Sequence, residues 1–139
     1  MIDGKKAVKL LKKKGHKVTQ RRKDMIKFFE RENRYVTAKD VMDYMEEIHP
    51  TMSFDTVYRN LRLYESLNIL EGTTLNGEKH FRFKCSTEHH HHFICNDCGS
   101  TKNLPVCPMD DAIKLLYGYD IEGHKFEVYG LCPDCKYAS

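Results

Sequence analysis

Two Cys-x-x-Cys pairs constrain the fold of this chain more than any other feature. Cys95 and Cys98 form the first pair, and Cys132 and Cys135 form the second, near the C-terminus. Each tight turn presents two thiols on one side, so two turns together can complete a tetrahedral shell of four sulfurs. Soft sulfur donors in that geometry favour zinc. The alternatives are two disulfides or redox-active Cys-x-x-Cys motifs, and the paired spacing favours zinc over both.

Four consecutive histidines, residues 89–92, lead directly into the first cysteine pair. The segment HHFIC alternates like a β-strand, so neighbouring side chains would face opposite sides of a sheet. His90 and His92 would then share one face, and His89 and His91 the other. Two histidines per face is the number that two separate metal sites require. An expression tag would lie at a terminus, whereas this run is internal. A solvated polar run is the other alternative.

Length and charge indicate two joined modules. The chain has 139 residues, enough for one ordinary domain or two small ones. It has no signal peptide and no apolar run of membrane-spanning length, so a cytoplasmic protein without a membrane partner is expected. Residues 1–69 have a net charge of +6 and residues 70–139 a net charge of −3. A basic half beside an acidic, Cys/His-rich half suggests a DNA-binding module joined to a metal-binding one.

Hydrophobic periodicity predicts four helices in the basic half. They cover residues 3–14, 19–32, 37–50 and 53–68. Thr19, Thr37 and Ser53 are expected to be N-caps, because a side-chain oxygen at that position accepts a hydrogen bond from a free backbone N–H. Thr37 with Asp40 three residues later resembles a capping box.

The fourth helix and the segment after it predict a winged helix. Arg59 lies opposite the apolar stripe of this helix, and Thr56 and Tyr58 flank that outer side. Asn76-Gly77 between two alternating runs is a strong hairpin signal, and this hairpin would be the wing. Ordinary amphipathic packing with solvated charges is the alternative for this helix. The basic half and the hairpin favour DNA binding.

After Cys85 the pattern changes to a small α/β unit. Two short strands (HHFIC and STKNLPVC) are predicted on either side of the first cysteine pair. A short helix (PMDDAIKLLY) follows, and one long strand over residues 120–132 then leads to the second pair. The predicted fold is therefore α+β, with a winged helix-turn-helix domain over residues 1–83 and an α/β domain with a four-cysteine zinc site over residues 84–139.

Three motifs, SFDTVYRNL, HHHHFICNDCG and HKFEVYGLCPDC, resemble the Fur family of metal-responsive bacterial repressors. Among its branches the chain is most similar to the zinc uptake regulators. The resemblance covers essentially the whole chain. It implies a homodimer with winged helices and C-terminal dimerisation domains that binds palindromic, double-stranded operator DNA. It implies neither an enzyme nor a small organic substrate, and zinc-uptake genes are the expected targets.

The resemblance also implies which residues bind metal and DNA. The structural zinc would be bound by Cys95, Cys98, Cys132 and Cys135. A regulatory zinc site at the hinge would use Glu71, Cys85, His90 and His92. A second regulatory site would use His89, His91, Asp110 and His124, with Asp111 as a less favoured substitute for Asp110. The DNA-binding residues would be Ser53, Thr56, Tyr58 and Arg59. Cys107 has no evident partner and is expected to be a small core or surface residue.

Two residues favour zinc over iron at the hinge. Cys85 would place a thiolate beside two imidazoles, and this donor set suits zinc better than an oxygen-rich iron site does. Tyr35 stands where iron- and peroxide-sensing relatives often have a histidine. The sequence therefore predicts a zinc-responsive repressor in which metal at the hinge fixes the angle between the DNA-binding domains. The alternatives are a ferric- or peroxide-sensing repressor of the same family, a zinc enzyme and a zinc-storage protein.

Overall fold

The computed structural model describes residues 2–84, 91–104, 107 and 109–138, with the backbone alone at 109 and 110. The chain divides into two compact units, Met1–Thr87 and Glu88–Ser139. The segment 85–90, which joins them, lies outside the described residues. None of the helices in the described parts is both long and apolar enough to cross a membrane.

The four predicted helices of the first unit are confirmed. They are α1 (Gly4–Lys13), α2 (Gln20–Arg31), α3 (Ala38–Ile48) and α4 (Phe54–Ser66). Each N-cap side chain accepts a backbone hydrogen bond: Thr19 from Arg22, Thr37 from Asp40 and Ser53 from Thr56. The capping box is complete, because the Asp40 carboxylate also accepts from the backbone N–H of Thr37 at 3.0 Å.

The apolar faces of these helices form one continuous core. Its largest fully buried side chains include Phe29, Met25, Leu61 and Tyr64. Burying a large apolar side chain contributes about 1.5–3 kcal/mol, so this core is the main source of the unit's stability. The outer face of α4 remains at the surface as a result.

The predicted wing is an antiparallel hairpin of β2 (Leu70–Leu75) and β3 (Glu78–Phe83). Asn76 (φ +52°) and Gly77 (φ +78°) both adopt left-handed backbone conformations, as a two-residue turn between twisted strands requires. A strand of two residues, β1 (Val36–Thr37), pairs with β3 and gives the order β1-β3-β2. This strand was not predicted, since two residues are too few for a periodic pattern.

The second unit contains a three-stranded sheet in the order β5-β4-β6. Its strands are β4 (His91–Cys95), β5 (Thr101–Leu104) and β6 (Glu127–Gly130). β4 is antiparallel to β5 and parallel to β6. Between β5 and β6 lie helix α5 (Met109–Ile113) and a 3-10 turn (Lys114–Leu116), and helix α6 (Pro133–Lys136) follows β6.

The long strand predicted over residues 120–132 is wrong in its extent. Only Glu127–Gly130 pairs in the sheet, and residues 119–126 have no regular structure. Pairing partners limit the strand, because β4 is itself five residues long. Gly123 also interrupts the proposed strand, and a glycine inside a strand weakens it.

Candidate metal centres and nucleic-acid interface

The four cysteines predicted to bind zinc lie together in the second unit. Strand β4 ends at Cys95, a tight turn brings Cys98 beside it, and Cys132 and Cys135 lie at the start of α6 and within it. The four sulfurs all lie within 4.8 Å of one another, and Cys98 Sγ is 3.8 Å from Cys132 Sγ. Sulfurs bound tetrahedrally at zinc distances are about 3.8 Å apart. The donor set and its spacing therefore fit zinc.

The chemistry of these thiols agrees with a metal site rather than with disulfides. All five described cysteines are free thiols. Burial opposes ionisation of Cys95, but backbone N–H groups of Cys132, Cys98 and Asp97 point at its sulfur and lower its pKa to about 6. At Cys135 the neighbouring sulfurs, that of Cys132 above all, raise the pKa of the thiol instead. Four thiolates this close repel one another, and a bound dication removes that repulsion.

A second donor cluster in the same unit contains His91, Cys107 and His124. His124 Nε2 lies 3.3 Å from His91 Nε2 and 3.3 Å from Cys107 Sγ. His91 is buried, and its ring meets the edge of Phe126 with 5.5 Å between ring centroids. The structure thus brings together two of the residues predicted for the second regulatory site, His91 and His124. It also gives Cys107 a partner that sequence reasoning missed.

Of the other residues predicted for that site, only the side chain of Asp111 is among the described residues. His89 and the side chain of Asp110 lie outside the described residues. Asp111 is exposed, and its carboxylate pairs with Lys114 Nζ at 3.4 Å. No sequence pattern signalled Cys107, because its contact with His124 depends on how the chain folds between the two residues.

The hinge set stays a prediction. Cys85 and His90 lie outside the described residues. Glu71 lies on β2, where Oε1 of its carboxylate is 3.7 Å from Nε of the buried Arg82. His92 alternates with His91 along β4, so its side chain points to the other face of the sheet. That alternation agrees with the separation into two faces expected from the sequence.

The outer face of α4 is polar and solvent-accessible, as predicted. Arg59 is exposed, and its guanidinium donates to the Asp55 carboxylate at 2.6 Å, one helical turn earlier. The guanidinium of Arg62 stacks on Tyr58, 4.7 Å from the ring centroid. An exposed ion pair such as Arg59–Asp55 contributes about 0.3–0.5 kcal/mol to stability. A phosphate or a base edge can therefore readily replace the Asp55 carboxylate as the partner of Arg59.

A basic cleft of about 440 Å³ lies between the loop that precedes α2 and the outer face of α4. Lys17, Arg21, Arg22 and Arg59 are among the residues that line it. Arg22 joins the two walls, since it donates to the Lys17 carbonyl at 2.7 Å and to the Asn60 side chain at 3.2 Å. Sequence analysis had not assigned Arg21 or Arg22 to the interface, although the run of basic residues at 17–23 could have indicated them.

Together the two units define a class of protein: a winged helix-turn-helix joined to a small α/β unit with clustered cysteine and histidine donors. Comparison with known proteins identifies the family. The sequence model of the ferric uptake regulator family matches residues 13–129, so the chain belongs to this family. Proteins of the family are dimeric, DNA-binding, metal-responsive repressors and not enzymes.

The individual matches agree with this membership. The chain is 48% identical over 130 residues to the ferric uptake regulation protein of Staphylococcus aureus, with 94% of this chain and 96% of the relative covered. It matches the structure of the Helicobacter pylori ferric uptake regulator with a TM-score of 0.71 at 20% identity, over 95% of this chain and 90% of the other. A zinc uptake regulator complexed with zinc and DNA gives a TM-score of 0.69 at 20% identity, over 97% and 93% of the two chains.

Proposed function

We propose that this chain is a cytoplasmic transcriptional repressor that binds a palindromic operator as a metal-loaded homodimer and controls metal-uptake genes. One observation supports this more than any other. A winged helix with an exposed, polar recognition face and two clusters of transition-metal donors occur in the same chain. A storage protein would need no such face.

Iron is the first candidate for the sensed metal. The relative from S. aureus, at 48% identity over nearly the whole of both chains, is named for ferric uptake. In this proposal the four cysteines hold a structural zinc, and ferrous iron binds at the predicted hinge set of Glu71, Cys85, His90 and His92. A bound metal supplies a rigid link between its ligands.

Zinc is the second candidate for the sensed metal, as the sequence predicts. A specific observation favours it: sulfur and imidazole donors suit zinc, and the cluster of His91, Cys107 and His124 has both. Cys85, which is predicted to be a ligand at the hinge, would add a further sulfur donor.

The proposed readout of DNA uses the face of α4. Arg59 is the residue that we expect to contact a base edge, because a guanidinium offers two parallel donors to guanine. Thr56, Tyr58 and the hydroxyl of Ser53 would position the helix on the phosphate backbone, and the basic cleft would add charge for the same purpose. Two such helices on a two-fold dimer would reach half-sites about one helical turn apart.

The test is operator binding measured against buffered free iron(II), zinc(II) and manganese(II), under anaerobic conditions and with the four-cysteine site already filled with zinc. The proposal expects tight binding to the operator only above a threshold of free metal. For iron(II) that threshold should lie within the physiological range of free iron, whereas for zinc(II) it should lie above the physiological range of free zinc, because selectivity in cells depends on metal availability as well as on affinity. Operator binding that is independent of every metal would contradict the proposed function. A threshold reached only with zinc would reject iron and select the second candidate.

Cys85→Ala and His124→Ala separate the two predicted regulatory sites in the same assay. We expect Cys85→Ala to remain a folded dimer that binds no operator at metal levels that activate the wild type. His124→Ala should lose affinity in a graded way. If Cys85→Ala responds normally and His124→Ala does not respond, the roles of the sites are reversed.

A further inference from the structure

We infer that Cys107 is a metal ligand, and that His91, Cys107 and His124 form a site for a thiophilic divalent cation of the zinc class. This inference deepens the proposed function and rests on it for its regulatory meaning. The sequence-predicted second site, by contrast, contains only imidazole and carboxylate donors. A thiolate in that shell changes which metals the site accepts.

The contacts of His124 Nε2 argue for a metal. This atom lies 3.3 Å from both Cys107 Sγ and His91 Nε2. A ring nitrogen has either one proton or one lone pair, so it makes one well-directed hydrogen bond and not two. A cation among the three donor atoms can accept a lone pair from each of them at once. Metal binding therefore explains a convergence that hydrogen bonding alone does not satisfy.

The spacing of the donor atoms also fits zinc. In a tetrahedral shell at zinc distances, two nitrogens lie about 3.3 Å apart and a nitrogen and a sulfur about 3.6 Å apart. The observed separations are 3.3 Å in both cases, and all three donor atoms lie within 4.8 Å of one another. On binding, the Cys107 thiol loses its proton to solvent and the imidazoles bind in their neutral form.

The surroundings hold the donors in place. His91 is buried at the start of the central strand β4, and the edge contact with Phe126 fixes its ring. Cys107 is half-buried and His124 is exposed, so the cluster opens to solvent on one side. That opening leaves a coordination position for a water or a fourth protein donor. Three protein ligands with an open position allow a metal to exchange, unlike the closed four-cysteine shell.

The test uses cobalt(II) as a spectroscopic probe on the full-length protein with zinc in its four-cysteine site. A Cys85→Ser background is chosen because Cys107 is then the one cysteine outside that site. Cobalt should produce a thiolate-to-metal charge-transfer band with the visible bands of tetrahedral coordination. Adding Cys107→Ser should abolish the charge-transfer band and weaken cobalt binding at least tenfold, since even lost outer-shell partners of a metal cost about 10–100-fold.

Matched variants keep the result interpretable. Cys85→Ser/His124→Ala should also lose cobalt affinity, whereas Cys85→Ser/His80→Ala, which removes a histidine of the wing, should bind as its parent does. Zinc content is measured after each titration, so a band that arises from displaced structural zinc is recognised. Circular dichroism checks that each variant is folded.

A charge-transfer band that persists in Cys85→Ser/Cys107→Ser while structural zinc is retained would overturn the inference, as would the absence of cobalt binding to the Cys85→Ser parent. Failure of the proposed function is a separate outcome. If cobalt binding depends on Cys107 but operator binding ignores every metal, the site stands and its regulatory role does not.

Discussion

The two units of this protein are stabilised in different ways. The first unit buries a continuous apolar core that extends from α1 to β3. In the second unit, the fully buried hydrophobic side chains among the described residues are Ile94 and Cys95. Most of the exposed large hydrophobic side chains also belong to the second unit: Leu115, Leu116, Tyr117, Tyr119, Ile121, Val128, Tyr129, Leu131 and Tyr137.

This difference shows which unit needs partners. A segment of about fifty residues buries little apolar surface and is marginally stable alone, so a bound metal and a second copy of the chain would supply what the core lacks. The first unit has a larger apolar core of its own, and its surface is available for DNA. We therefore expect dependence on metal to be concentrated in the unit that also holds the donors.

Loss of the structural zinc should have the largest effect. We expect Cys95→Ser to unfold the second unit and abolish the dimer, because a structural zinc site contributes about 10–16 kcal/mol, as much as the whole stability of a domain. The first unit should keep its helices. Cys107→Ser is the matched control and should stay folded and dimeric. Circular dichroism with size-exclusion chromatography measures both effects, and a dimeric, folded Cys95→Ser protein would contradict the comparison.

Placing a charge on β6 should have the next largest effect. β6 is an edge strand of the described sheet, and its Val128 is 39% exposed. An exposed apolar edge strand invites pairing with another chain. We expect Val128→Lys to weaken the dimer by about tenfold or more, since burying a valine contributes about 1.5 kcal/mol or more. Analytical ultracentrifugation measures the dissociation constant.

Asn103→Lys places the same charge on β5, the opposite edge of that sheet, and controls for charge alone. It should leave the dimer intact. If Asn103→Lys dissociates the protein and Val128→Lys does not, the two copies meet through the other edge. Both variants should keep the fold of the first unit.

A change at the DNA face should alter function without altering stability. We expect Arg59→Ala to cost about 1–3 kcal/mol of operator affinity and to relax sequence preference. The same substitution should hardly change the free energy of unfolding, since the exposed pair of Arg59 with Asp55 contributes about a few tenths of a kcal/mol. Lys14→Ala should instead weaken binding to all DNA sequences by a similar factor and reduce the salt dependence of the affinity. Unchanged operator affinity in Arg59→Ala would reject the assignment.

The sequence predicted the first unit more completely than the second for a physical reason. Helices with an apolar stripe, an N-cap and a two-residue Asn-Gly turn are encoded by neighbouring residues, and α1 to α4 and the wing were predicted within a few residues. The extent of β6 depends instead on what β4 can pair with. The contact between Cys107 and His124 likewise depends on tertiary structure, because the two residues are distant in the sequence. The two Cys-x-x-Cys pairs are the exception, since their local spacing indicated a long-range site.

The smallest predicted effect concerns a group of side-chain hydrogen bonds inside the first unit. The buried Asp24 of α2 accepts hydrogen bonds from His49, which ends α3, at 2.8 Å, and from Gln20 at 2.9 Å. Burial opposes ionisation of this carboxyl, but the bonds from His49 and Gln20 outweigh it and hold the pKa of Asp24 below 3.8. A carboxyl with a lowered folded-state pKa stabilises the fold above its unfolded-state value and loses that contribution as the pH falls through the folded-state value.

Asp24→Asn should therefore lower the free energy of unfolding of the first unit by about 1 kcal/mol at neutral pH, the usual worth of a buried hydrogen bond. The difference from the wild type should shrink as the pH falls below the ordinary aspartate range and through the lowered folded-state pKa, where the wild-type carboxyl also becomes protonated. Urea unfolding followed by NMR signals of α2 and α3 isolates the first unit from acid release of zinc in the second. Asp43→Asn, at an exposed position of α3, is the control and should leave the free energy of unfolding unchanged both at neutral pH and at acidic pH. A loss in Asp24→Asn that is equal at both pH values would mean that packing of the side chain, and not its charge, holds α2 to α3.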